Sequence, residues 1–310
     1  MKLIIIQLIF KILLPLVILT FLVSTVINNW VIVRTQLILA DPYSITLILV
    51  MLMITYVGGA YLWRMILEGL GAYLTYFQAL KIFTVSNFGR FIPGVAIHYF
   101  IRVYMSKRIG LKVKDSALAV ILEAYYTLAG AVFAGFFACP VVADLIRIPI
   151  QGVYLMYSIL LLYILLVKPD LLLKFLLNIK FVRRKITGKI VIFSYQKHFL
   201  LCLVSTILFV FNGVAFYFLG HSFFNLDISN LFFITGLFAL SWILGFLTPV
   251  APGGLGVSDL SFAFLLSPIF SFAQASFLVI LYRMGLLISE GLVFLIVFIF
   301  FRADLIQKRN

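Results

Sequence analysis

The chain has 310 residues, of which 65% are hydrophobic and 11% charged, and its net charge is +14. A soluble domain carries about 25% charged residues and is roughly half apolar, so this composition excludes a soluble fold and specifies an integral membrane protein. The 33 Phe, 15 Tyr and 3 Trp suit lipid-facing helices with interfacial rings rather than a nucleic-acid surface.

A spanning helix needs about 20 mostly apolar residues. Six segments meet that length: Leu8–Ile27, Ile45–Leu67, Ser116–Cys139, Gln151–Val167, Phe199–Gly220 and Gln274–Phe301. The first reads as a membrane helix and not a cleaved signal. Lys11 interrupts it, the apolar run continues to Val26, and no small-residue cleavage pattern follows. Two more apolar regions, Leu70–Met105 and Leu231–Leu266, are each broken. The first break is Asn87-Phe88-Gly89-Arg90-Phe91-Ile92-Pro93-Gly94. The second is Thr248-Pro249-Val250-Ala251-Pro252-Gly253-Gly254-Leu255-Gly256. Lipid cannot satisfy open backbone groups, so such breaks survive only inside protein or beside a wet cavity. They are the sequence pointer to a transporter's substrate site.

Lys and Arg in short loops mark the cytoplasmic side. Lys107, Arg108, Lys112 and Lys114 follow the first break. Lys168, Lys174, Lys180, Arg183, Arg184, Lys185, Lys189 and Lys197 lie between the fourth and fifth spans, and Arg302, Lys308 and Arg309 close the chain. Both termini are then cytoplasmic in a multi-pass protein of the cell (plasma) membrane. The pattern holds for six spans if each broken region enters and leaves on one side, from opposite faces; eight full spans are the alternative. The expected fold class is an all-α polytopic membrane protein, with about six transmembrane helices plus two broken, re-entrant helix pairs in an inverted repeat. It would be one domain over 1–310, with a first half of about 1–140 and a second of about 151–301. Asp170–Lys180 reads as an interfacial helix, and the basic segment 168–197 as a site for anionic phospholipids.

Ionisable residues at membrane depth are costly, and each is a functional hypothesis. Arg90 precedes Pro93 and Gly94. If a half-helix resumes there, its N-terminus favours an anion, and a guanidinium beside it would grip phosphate. Arg102 follows His98 at i,i+4, so the two share a face. Glu123 has no neutralising neighbour in sequence; an Arg from a broken region is its expected partner, for structural ion pairing or for coupling to substrate. Gly253, Gly254 and Gly256 permit close backbone approach beside Pro252. Asp259 reads as a helix cap or as a partner for Arg283. Arg283 and Glu290 are seven apart on one helix face. Cys139 and Cys202 read as small buried hydrophobes. Zinc-protease, nucleophile-elbow and phosphate-loop motifs are absent from the sequence, so no catalytic residue, metal or cofactor is expected.

Gly-Arg-Phe-Ile-Pro-Gly, an Arg eight residues later, and a following helix bearing Glu resemble the membrane region of lysylphosphatidylglycerol synthetases. So do Pro-Gly-Gly-Leu-Gly-Val with an acidic residue after it, and Leu-Tyr-Arg in the last helix. The matching positions are Gly89, Arg90, Pro93, Gly94, Arg102, Glu123, Pro252, Gly253, Gly254, Gly256, Asp259, Tyr282 and Arg283. The chain departs from the family pattern at Val95-Ala96-Ile97-His98, and in having Asp259 where Glu is common.

The resemblance implies a flippase-like domain without the soluble aminoacyltransferase module. Its substrate would be an anionic or aminoacylated phospholipid, or a polyprenyl-linked glycolipid. A separately encoded glycosyltransferase or lipid-modifying enzyme is the implied partner, and nucleic acid is not. The alternative activity is a membrane transferase acting on a lipid phosphate.

Overall fold

The computed structural model describes residues 20, 21, 23–28, 30, 34, 41–91, 97–166, 169, 193–248 and 256–307. Among these, ten α-helices occur and no strand. They are α1 (Pro42–Gly69), α2 (Tyr76–Asn87), α3 (Ile97–Arg108), α4 (Val113–Gly135), α5 (Cys139–Ile146), α6 (Ile150–Leu166), α7 (Tyr195–Phe224), α8 (Asn230–Phe246), α9 (Val257–Leu265) and α10 (Phe272–Gln307). A 3-10 turn, Phe88–Phe91, continues α2, and another, Phe136–Ala138, joins α4 to α5.

The chain is an all-α polytopic membrane protein. Four of the described helical stretches are long and apolar enough to cross a bilayer: Pro42–Gly69, Val113–Leu145, Tyr195–Phe224 and Phe272–Phe300. They correspond to four of the six expected spans. The third runs past its expected end at Cys139, because Pro140 falls in the first turn of α5, where its missing N–H costs nothing. The expected Gln151–Val167 span is α6, of the same length at 17 residues and shorter than the four long stretches. Its Leu155, Met156, Ile159 and Leu162 side chains are exposed, as expected of a lipid-facing helix. Leu8–Ile27 lies mostly outside the described residues, and Asp170–Lys180 wholly so.

Helix starts are fixed by side-chain caps. Asp41 accepts from the Tyr43 and Ser44 amides at the head of α1, and Ser194 from the Lys197 amide at the head of α7. The Ser44 and Tyr43 bonds hold the Asp41 carboxyl below its usual range. Thr75 and Gln78 form a reciprocal capping box at α2. Thr75→Ala should therefore lower stability by about 1 kcal/mol, read as a shift of the thermal midpoint in detergent.

Contacts along α7 set the direction of every long helix. Gly58 meets Leu208 and Gly69 meets Phe193, so α1 is antiparallel to α7. Tyr282 Oη donates to Asn212 Oδ1 at 2.8 Å, and Phe277 packs on Phe223 at 5.3 Å; α10 is antiparallel to α7 as well. Tyr126 Oη lies 3.2 Å from His198 Nδ1, and Gly130 backs onto Ser205, so α4 is parallel to α7.

The two broken regions are helical hairpins. In the first, α2 runs back along α1, with Tyr76 near Tyr61, Phe83 on Tyr56 and Asn87 reaching Tyr56 Oη. Then α3 returns against α2, to the end of the bundle where α4 begins. In the second, α8 descends along α7, with Thr235 against Gly213 and Trp242 on Phe209. Its partner α9 returns with Phe262 on Phe238 and Phe216, and Phe270 reaches Phe224. The first hairpin therefore enters from the end of the bundle that holds the start of α7, and the second from the end that holds its finish. The returning helices are short: α3 has 12 residues, about 18 Å at 1.5 Å per residue, and α9 has 9, against a roughly 30 Å hydrocarbon core. Each hairpin enters and leaves at one end of the bundle, and the two are inverted relative to each other.

Each hairpin has its own apolar core. Trp63, Ile66, Ile82, Phe83, Leu122 and Leu201 surround the first. Phe216, Ile234, Leu237, Phe262, Leu278 and Tyr282 surround the second.

Candidate functional site

The described ends of the two hairpins, at Arg90 and Asp259, both dock on one helix, α10. At the first tip, Arg90 on the 3-10 turn pairs with Glu290, and Phe88 packs on Phe294 at 4.8 Å. At the second, Arg283 Nη2 lies 2.6 Å and Nε 3.1 Å from Asp259 Oδ1. Arg283 and Glu290 are seven residues apart, about 10 Å along the axis. The hairpins thus approach each other from opposite ends of α10.

Two local devices shape the tips. A Cβ on Gly89 would lie 3.0 Å from His98 Cα, so glycine there lets the arms of the first hairpin touch. Gly256 has φ of +83°, a left-handed conformation that glycine supplies without strain, and it turns the chain into α9. Its amide donates to Asp259 Oδ2 at 3.0 Å. Capping and ion pairing, the two readings of Asp259 in sequence, are both realised, one on each carboxylate oxygen.

The third pair is the most buried. Arg102 pairs with Glu123 on α4, as the sequence required of some Arg in a broken region. Its Nε donates to Ser86 Oγ at 3.0 Å and its Nη2 to Asn87 Oδ1 at 2.7 Å. The guanidinium also stacks over Phe83 at 4.2 Å, a cation–π contact in a dry setting. The Arg102 side chain is only 1% exposed, against 28% for Arg90 and 29% for Arg283.

A cavity of about 160 Å³ opens beside this third pair. Phe83, Asn87, His98, Tyr99 and Arg102 line it from the first hairpin, Glu123, Ala124 and Thr127 from α4, and Trp242 and Phe246 from the second hairpin. His98 and Arg102 share it, as their spacing predicted. At about 30 Å³ per liquid water, it has the volume of roughly five waters, a size for a polar headgroup and not for an acyl chain.

Of the expected site residues, His98, Arg102 and Glu123 meet at the cavity. Arg90, Glu290, Gly256, Asp259 and Arg283 lie at the hairpin tips on α10. Pro93, Gly94, Pro252, Gly253 and Gly254 lie outside the described residues. Sequence reasoning missed Ser86, Asn87, Tyr99, Thr127 and Trp242. Only Asn87 carried a signal, as the polar residue that opens the first break. Cys139 and Cys202 are buried free thiols. Among the described residues, no group of three or more His, Cys, Asp and Glu could hold a metal ion.

The three arginines and three carboxylates sum to zero charge. An anionic group entering here adds one negative charge to a balanced set, and it can meet an arginine only by displacing the carboxylate that holds it.

The family model described as "Lysylphosphatidylglycerol synthase TM region" matches residues 7–300. No curated protein matches the chain.

Proposed function

Because the chain belongs to the lysylphosphatidylglycerol synthase transmembrane-region family, a membrane family with a lipid-related function, we propose that it translocates a phosphate-bearing lipid between leaflets. The observation that carries this reading is the meeting of two hairpins, from opposite ends of the bundle, around one headgroup-sized cavity. A lipid headgroup is too polar to cross hydrocarbon, whereas its acyl tails are at home there. The protein has only to give the headgroup a polar path while the tails stay in the bilayer. Arg90 is the grip: it sits at the first hairpin's tip, is part-exposed, and its guanidinium can pass from the Glu290 carboxylate to a lipid phosphate.

The end at which the first hairpin enters carries Lys107, Arg108, Lys112 and Lys114. We assign that end to the cytoplasmic face of the plasma membrane, where anionic phospholipids would also meet the basic segment 168–197. A separately encoded lipid-modifying enzyme would supply the substrate. A transferase reading needs a carboxylate ready to act as a base, and Glu123 is instead held by Arg102.

Proteoliposomes holding tail-labelled fluorescent phosphatidylglycerol test the proposal. The protein should speed leaflet exchange over protein-free vesicles, read by dithionite quenching. Loss of a charge-assisted hydrogen bond costs about 1.5–3 kcal/mol, so Arg90→Ala should slow exchange at least tenfold. Exchange no faster than in protein-free vesicles, or an Arg90→Ala rate equal to wild type, would overturn it.

A further inference from the structure

Two of the three ion pairs at the hairpins occupy the same place in the two inverted units, with their signs exchanged. Each unit is a long helix, a hairpin and a second long helix: α1, α2–α3 and α4, then α7, α8–α9 and α10. In the first, the returning hairpin arm carries Arg102 and the closing helix carries Glu123. In the second, the returning arm carries Asp259 and the closing helix Arg283. Glu123 lies ten residues into α4 and Arg283 eleven into α10. The partners are 21 residues apart in one unit and 24 in the other.

We propose that Arg102–Glu123 and Asp259–Arg283 are equivalent latches, which hold each hairpin arm to its closing helix and must both open and re-form for each lipid to pass that hairpin, so that an arm unable to reclose stalls the cycle. This rests on the translocation reading above and assigns Arg102 and Arg283 a positioning part, leaving the phosphate to Arg90. The exchange of signs is the ground for it. A phosphate subsite fixes where the cation must be; a latch fixes only that opposite charges meet. The chain uses both orders at equivalent places, which a latch tolerates and a phosphate subsite does not. Arg90–Glu290 has no counterpart of this kind, since it joins the hairpin of one unit to the closing helix of the other.

The latches are not equally firm. Arg102 is almost wholly buried and is held by Ser86, Asn87 and Phe83 besides Glu123. Arg283 and Asp259 keep 29% and 19% of their side-chain surface open, and Arg283 gains one further bond, to Ser258 Oγ at 3.3 Å. Desolvated pairs are the more strongly coupled. The second hairpin is therefore the one that opens first, while the first stays anchored.

The test uses the full chain in proteoliposomes with the same labelled phosphatidylglycerol. Asp259→Asn and Arg283→Gln should each slow exchange about tenfold, the scale of a typical coupling free energy. The sign-exchanged double variant Asp259→Arg/Arg283→Asp should recover most of that loss. Recovery is not expected of a phosphate subsite, because the cation has moved. A second readout is modification of Ser258→Cys by a membrane-impermeant maleimide, which Arg283→Gln should speed about tenfold by loosening the arm. If the double variant folds with the wild-type melting temperature but stays as slow as the singles, Arg283 is a binding cation and the latch is overturned. If the double variant does not fold, the maleimide rate decides: an unchanged rate in Arg283→Gln overturns the latch. A wild type without lipid exchange sinks translocation alone, and the maleimide arm still judges the latch.

Discussion

Arg102→Ala is expected to destabilise the protein by about 3–5 kcal/mol, the cost of removing one partner from a buried ion pair. The substitution strands the mostly buried Glu123 without its partner and removes the bonds to Ser86 and Asn87. It also removes the stacking on Phe83. Marginal stability for a domain is about 5–15 kcal/mol, so the variant should accumulate poorly in membranes. Cys139 and Cys202 are 0% and 2% exposed, and a thiol-reactive dye that fluoresces on reaction would report the unfolding midpoint in detergent. Replacing both partners, as Arg102→Met with Glu123→Met, should recover much of the loss, since apolar substitutes leave no stranded charge. A midpoint for Arg102→Ala within a degree or two of wild type would show that the pair contributes little.

Much of this arrangement was legible because lipid is an unforgiving solvent. Pro93-Gly94 and Pro252-Gly253-Gly254 read as breaks in the sequence, and irregular backbone at membrane depth is tolerated only inside protein or beside a wet cavity. The same cost made an arginine partner obligatory for Glu123 and tied Asp259 to Arg283. Which arginine went to which carboxylate was not legible. Arg90 is nearer the break, yet it reaches α10 and Glu290, and Arg102, a full turn past His98, takes Glu123. That choice depends on how α3 packs between α2 and α4, a tertiary fact with no period in the sequence. Ser86 and Trp242 joined the site for the same reason.

The close approach of three helices sets up the other large effect. Gly130 on α4, Gly213 on α7 and Gly236 on α8 each face a neighbour's backbone. A Cβ there would lie 2.6 Å from the Ser205 carbonyl carbon, 2.6 Å from Thr235 Cα and 2.7 Å from the Phe137 carbonyl carbon, respectively. Helices in membranes associate through such tight packing, because lipid leaves no hydrophobic force between them. A main chain cannot swing aside as a flexible side chain can. Gly213→Ala should therefore push α8 from α7 and cost at least the 1–3 kcal/mol typical of overpacking; Gly213→Leu should prevent assembly. The second hairpin hangs on that contact, so the alanine variant should lose lipid exchange more steeply than its lowered midpoint alone would explain. Gly291 on α10 is the control: nothing lies within 4 Å of its built Cβ. Alanine at 291 should raise stability by roughly 0.5–1 kcal/mol, the entropic advantage over glycine in a helix. The two glycine-to-alanine changes are chemically identical and should move the thermal midpoint in opposite directions. If both raise it, α7 and α8 do not depend on contact at Gly213.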